Sequence, residues 1–175
     1  MMQGNRKHGA RMRDSAYNVD EIVKFLEIKQ GDKILDLGAG DGFFSKELKK
    51  ITNNVTALDI DDEYFSELEK LGIKTVKEDI CKYDYGLYDL IFIANVYHGI
   101  RNMCKEKLLE NLNKIANKYV AIVDFNPERA MFGPPSSIRI SKEKIIEEFQ
   151  QHNFKLVKEK DLKYHYLLIF KRDHT

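Results

Sequence analysis

From about residue 18 onward the chain alternates short β-branched or apolar runs with stretches whose apolar positions recur every three or four residues. The runs KILDL, NVTALD, IKTVKED, YDLIFIAN and YVAIVDF predict strands. FFSKELKKI, DEYFSELEKL and EKLLENLNKIA predict helices: Phe44, Leu48 and Ile51 share one helical face, as do Tyr64, Leu68 and Leu71, and again Leu108, Leu112 and Ile115. An earlier helix starts after Asn18 as N-cap, turns Ile22, Phe25 and Leu26 inward and stops near Gly31. The order β-α-β-α-β followed by β-α-β predicts an α/β fold, a parallel sheet with helices on both faces. After Phe125 the pattern changes. NPERAMFGPPSSIRI holds all three prolines and forms a loop too long for a bare connector; Ser141 then caps a helix carrying Ile145, Ile146 and Phe149. FKLVKEK and YHYLLIFKR close the chain as an antiparallel hairpin at the sheet edge.

A length of 175 residues with 43% hydrophobic content fits one domain, over residues 18–175, preceded by a basic arm over residues 1–17. Lys and Arg total 29 against 28 Asp and Glu, so a net charge of +1 supplies no strong field for nucleic acid or anionic membrane. The start MMQGNRKHGARMRD has no apolar run behind it and no later stretch reaches spanning length, so neither a leader nor a membrane segment is expected. Cys81 and Cys104 lack paired spacing, which predicts neither a zinc site nor a disulfide but incidental thiols in a reducing cytoplasm.

The strongest chemical signal is KILDLGAGDGFF, a buried strand running into Gly38, Gly40 and Gly42 and then a helix. Glycines let the backbone approach a ligand at the carboxyl end of a strand, where open α/β sheets bind theirs. Asp59 and Asp79 end the next two strand segments, so three strand ends converge on one nucleoside site. The dinucleotide fingerprint G-x-G-x-x-G needs glycine at position 43, where this chain has Phe43; its pattern is G-x-G-x-G. Asp36 and Asp41 bracket the loop and repel a pyrophosphate, whereas the ammonium and sulfonium of S-adenosylmethionine favour carboxylates nearby. Asp36 lies inside an apolar strand and needs a partner, which the ligand or a water can supply. Asp59, nineteen positions after Gly40, can accept both ribose hydroxyls. Asp79 can accept from the adenine amine while Ile80 covers the ring; Asp61 and Asp62 fit the first turn of the next helix.

With these pieces in place, the chain resembles a small Rossmann-like methyltransferase dependent on S-adenosylmethionine. IKQGDKILDLGAGDG matches the glycine motif, ALDID the ribose motif, KEDI the adenine motif and YDLIFIANVYHGI the strand and loop beside the reaction centre. The resemblance is widest to the broad group containing the quinone-biosynthesis methyltransferases. It implies a three-layer sandwich whose seven-stranded, mostly parallel sheet has an antiparallel last strand inserted between its neighbours. It also implies that Asp36, Gly38, Ala39, Gly40, Asp59, Ile60, Asp79, Ile80, Asn95 and Val96 hold the cofactor. Adenine-modifying members carry Asn-Pro-Pro-Tyr after the fourth strand; this chain reads Asn95, Val96, Tyr97, His98, which disfavours amino-group methylation of that kind.

Methyl transfer is an in-line displacement that needs orientation more than covalent help. If the acceptor is a hydroxyl or an acidic carbon, His98 is the best base, since histidine's ordinary pKa lies near neutrality. Tyr97, Asp124, Arg139, Tyr164 and His165 are candidates for the acceptor side, although Asp124 is better explained by a salt bridge to Arg129 or Arg139. The expected acceptor is a small molecule, with protein and RNA left open, and the expected assembly is a monomer or homodimer without metal. Two rivals stand beside the enzyme: a sensor or partner subunit that binds the nucleoside without turnover, and a nicotinamide-dependent oxidoreductase.

Overall fold

The computed structural model describes residues 19–128 and 133–173; the basic arm, the N-cap assigned to Asn18 and Arg129 lie outside them. Seven strands, β1 (Lys33–Leu37), β2 (Asn54–Asp59), β3 (Lys74–Lys77), β4 (Tyr88–Ala94), β5 (Ala116–Phe125), β6 (Phe154–Asp161) and β7 (His165–Arg172), form one sheet in the order 3-2-1-4-5-7-6. Among the described residues five α-helices accompany them, α1 (Val19–Leu26), α2 (Phe43–Lys49), α3 (Phe65–Lys70), α4 (Tyr97–Ile115) and α5 (Lys142–Gln150), with a short 3-10 turn at Ser136–Ile138. Strands β1 to β5 pair in parallel, and β7 runs antiparallel to both β5 and β6. The hairpin is therefore at the edge only through β6. Its second strand lies inside the sheet, as the family resemblance implies and local patterning alone does not.

Strand alternation divides the core between the two faces of the sheet. Leu35, Leu37, Ile91, Ile93 and Ile122 pack with Leu108, Leu112 and Ile115 of α4 and Phe149 of α5. Ile34, Val55, Ala57, Phe92 and Val123 pack with Ile22 of α1, Phe44 and Leu48 of α2 and Leu68 of α3. Near-continuous apolar strands covered on both faces are what a parallel sheet requires. Ser141 caps α5, its hydroxyl accepting the Lys144 amide.

Three expectations need correction. Leu71 is half exposed; Phe65 takes the buried place beside Leu68, because α3 begins at Phe65 and Asp61 instead accepts the Glu63 amide in a turn before it. Asp79 stands two residues beyond β3, in a turn. Cys81 and Cys104 are joined by a disulfide with Cα atoms 5.9 Å apart, which removes the ground on which a reducing compartment was expected. Sequence spacing hides this pairing because only the docking of α4 beside the β3–β4 loop brings the two cysteines together.

Candidate active site

The loop after β1 bends over the end of β2. Gly38 and Ala39 both donate amides to the Leu58 carbonyl (2.8 and 3.0 Å), and Gly40 donates its amide to Asp59 Oδ2 at 2.8 Å. Asp59 thus fixes the middle of the glycine loop, while its Oδ1 accepts the Asp61 amide at 3.0 Å. Gly38, Gly40 and Gly42 all have positive φ. Their surroundings differ. A Cβ on Gly40 meets nothing within 4 Å, whereas one on Gly42 collides with Leu68. Gly42 is required by packing; the open space at Gly40 is where a ligand can lie against backbone. Ile60, beside Asp59, is 64% exposed, an apolar side chain left for a ligand to cover. A Cβ on Gly38 would stand 3.0 Å from Val96 and 3.2 Å from Ile80, so these two side chains close the same corner from opposite walls.

A contrast follows for these glycines. Gly40→Ala should cost about 1 to 2 kcal/mol of stability through its left-handed backbone and still fold, yet bind S-adenosylhomocysteine much more weakly. Gly42→Ala should lose roughly a further 1 to 3 kcal/mol through overpacking. Thermal denaturation beside calorimetric titration reads both; equal stability losses at the two positions would contradict the assignment.

Asp36 finds its partner within the chain: Ser45 Oγ donates to its Oδ2 at 2.6 Å, and both residues are buried. Ser45 was not among the sequence candidates; its signal was a small polar residue on the apolar face of α2. Burial raises the Asp36 pKa to about 7 against the Ser45 hydrogen bond, with Asp59 and Asp41 adding to the rise. The folded protein therefore holds a proton here that the unfolded chain has released by about pH 4. The stabilisation from this group is complete below the unfolded pKa and is lost as pH rises towards 7. The ammonium that S-adenosylmethionine and S-adenosylhomocysteine share prefers the carboxylate, so affinity should increase with pH up to about 7 and then level, at most about tenfold per unit. Titrations of S-adenosylhomocysteine from pH 5 to pH 8 should show this slope in the wild type and lose it in Asp36→Asn; a flat wild-type profile would refute it.

Across the crevice, β4 passes into α4 through Asn95, which has φ 63 and donates its amide to the Val123 carbonyl. Asparagine is among the few residues that tolerate this left-handed conformation. His98 lies in the first turn of α4, not in a loop. Its Nδ1 is 2.9 Å from Asp124 Oδ1, its backbone amide donates to Asp124 Oδ2 at 3.1 Å, and Phe125 donates its amide to Oδ1 at 2.8 Å. A carboxylate only accepts, so Nδ1 carries the proton and Nε2 is the acceptor of the neutral ring. Asp124 is buried, and the salt bridge expected from Arg139 is absent among the described contacts: Arg139 donates to the Pro134 and Asn126 carbonyls and stacks on Phe125.

Three other acceptor-side candidates are drawn into packing. Tyr97 is fully buried against Phe149, with its hydroxyl turned to Glu148 at 3.5 Å, because α4 presents it to α5. Arg139 is spent on the loop carbonyls just named. His165 is fully buried 4.5 Å from the Phe125 ring, and burial lowers its pKa to about 4, which keeps it neutral. Tyr164 stands half-buried just before β7. Among the described residues no cluster suits a metal ion and no helix is long and apolar enough to cross a membrane. A cavity of about 600 Å³ lies at the opposite, amino-terminal ends of the strands, lined by Leu26, Lys29, Tyr119, Val157 and others, and contains none of the predicted site residues.

The described geometry fits the cofactor: open backbone at Gly40, a carboxylate at the end of β2, an exposed Ile60 beside it, and buried Asp36 beneath. Chains of known structure share the fold. A methyltransferase from Aquifex aeolicus, described as dependent on S-adenosylmethionine, superposes with a TM-score of 0.83 over 92% of this chain and 93% of its own at 24% identity. Magnesium protoporphyrin IX methyltransferase from Synechocystis, solved with bound S-adenosylhomocysteine, gives 0.71 over 89% and 82% at 17% identity. The chain shares the fold of Rossmann-like methyltransferases, and its site geometry fits S-adenosylmethionine.

Residues 1–172 match the ribosomal RNA adenine dimethylase family, and the chain belongs to it. An rRNA adenine N-6-methyltransferase from Bacteroides fragilis is 27% identical over 120 residues, 65% of this chain and 45% of the relative. Another from Lysinibacillus sphaericus is 30% identical over 118 residues, 63% and 48% respectively. The chain thus spans less than half the length of these relatives. The family membership removes the oxidoreductase as a reading of the site.

Proposed function

We propose that the acceptor is RNA, methylated on the exocyclic amine of an adenine, with His98 holding the base at the rim. The observation that carries this is the family match across residues 1–172, joined by relatives whose names specify adenine N6 in ribosomal RNA. It turns the weight of argument away from the small-molecule acceptor expected from the sequence. Bound S-adenosylmethionine supplies an electrophilic methyl group on a sulfonium. The glycine loop, Asp59, Ile60, Asp79 and Ile80 would hold it, and Asp36 would balance its positive charge. His98 occupies the position where adenine-modifying enzymes place tyrosine. Its flat ring offers a stacking surface, and Nε2 can accept a hydrogen from the amine, turning the nitrogen lone pair towards the methyl group. Asp124 fixes the ring for either task. The test is incorporation of labelled methyl into RNA, followed by digestion to nucleosides: label in N6-methylated adenosine supports the proposal, and label confined to a small-molecule fraction overturns it.

One observation favours a second reading. A histidine oriented by a buried carboxylate is the arrangement of a general base, which suits a small acceptor with an acidic hydroxyl or carbon. In that case the label appears in the small-molecule fraction.

A further inference from the structure

The disulfide joins the two walls of the crevice. Cys81 directly follows Ile80; its amide is held by Asp79 Oδ1 at 2.9 Å, and its carbonyl accepts from Asn111 Nδ2 of α4 at 3.1 Å. Cys104 lies in α4, the helix that opens with Tyr97 and His98. At Cys104 the backbone leaves the helical region (φ −155, ψ 39), dividing α4 into a first segment bearing His98 and a second that packs under the sheet. Sharp breaks in helices arise at proline, at glycine or serine, at bulges or where a side chain is pulled into the ladder. Here α4 contains no proline, and its glycine, Gly99, lies upstream of the break. The covalent bond to Cys81 is what coincides with it. Both cysteines are half-buried, within reach of an external thiol.

We propose that Cys81 and Cys104 form a redox clasp that sets cofactor affinity: oxidised, it holds Ile80 against the glycine loop and His98 at the rim; reduced, it releases both. The reductant is a dithiol carrier. One carrier thiolate attacks a sulfur of the pair to give a mixed disulfide, and the second carrier thiolate closes the carrier's own disulfide. Two electrons and two protons pass to the protein, leaving two free thiols. Cys104 can then take helical dihedrals, so the two parts of α4 realign, and the 79–81 turn is left held by hydrogen bonds to Asn111, within itself and to its chain neighbours Glu78, Lys82 and Tyr83. The clasp rests on the reading that Ile80 faces adenine and is independent of which acceptor is methylated.

The experiment compares S-adenosylhomocysteine binding by calorimetry for the air-oxidised protein, the protein reduced with dithiothreitol, and the Cys81→Ser and Cys104→Ser variants. Thiol titration and circular dichroism are run on each. The expected result is two free thiols after reduction, a retained fold, affinity weaker by about tenfold and restored on reoxidation, and serine variants fixed at the weaker value whatever the reductant. Equal affinity in both states, even with a lower melting temperature on reduction, overturns the clasp and leaves a stabilising staple. Free thiols in the air-oxidised protein, or loss of the fold on reduction, overturn it as well. Absence of binding in either state instead overturns the cofactor site, and the clasp with it.

Discussion

Replacement of Asp59 by alanine is expected to weaken S-adenosylhomocysteine binding by roughly 2 to 4 kcal/mol, about 30- to 1000-fold in Kd, with the fold retained. Two losses combine. The ribose hydroxyls lose a charged acceptor, and the Gly40 amide loses the oxygen that fixes the loop at 2.8 Å. Asp59→Asn separates them, because the amide oxygen can still accept from Gly40 while the charge and one acceptor are gone. It should fall between wild type and alanine. The position is partly exposed and opens no core cavity, so the melting temperature should move little in either variant. Unchanged affinity in Asp59→Ala would remove this residue from the site.

His98→Gln is expected to lower turnover about 100-fold or more while affinity for S-adenosylhomocysteine stays near wild type. Glutamine can still donate to Asp124 and accept at the rim, but it provides neither a ring for stacking nor a basic nitrogen. Asp124→Asn tests the support. An asparagine side chain can donate to Nδ1, which favours the tautomer with the proton on Nε2, so the acceptor at the rim is lost although His98 remains. Similar rate losses in both variants would tie the two residues into one unit. Joint loss of stability and affinity in His98→Gln would show a helix cap in place of a catalytic group.

The glycine-loop half of the candidate site was legible because it is local. A strand, a glycine turn and a helix lie in one stretch of sequence, and Asp59 follows at a spacing that the βαβ unit imposes. The acceptor half was less so. Tyr97 and His98 are neighbours, yet the first turn of a helix sends them in directions about 100° apart, one into the core and one to Asp124. Deciding between them requires knowing where α5 lies. Asp124 and Arg139 carry opposite charges and suggest a pair, but the geometry of the loop after β5 gives the arginine two carbonyls first. Ser45 and the Cys81–Cys104 bond were illegible for a related reason: each joins elements through tertiary docking, with no spacing rule to announce it.

The place of β7 has a consequence for how the protein is made. As the last strand described, it slots between β5 and β6, pairing with Tyr119–Phe125 on one side and Phe154–Asp161 on the other. While a ribosome has released only the residues up to α5, β5 presents an open, apolar edge with nothing to pair with, a template for association with other chains. Closure then joins segments distant in sequence, which makes it a slow step of folding. Truncation within His165–Arg172 should therefore remove the middle of a sheet, not trim its end, and a nascent chain lacking it is a natural client for a chaperone.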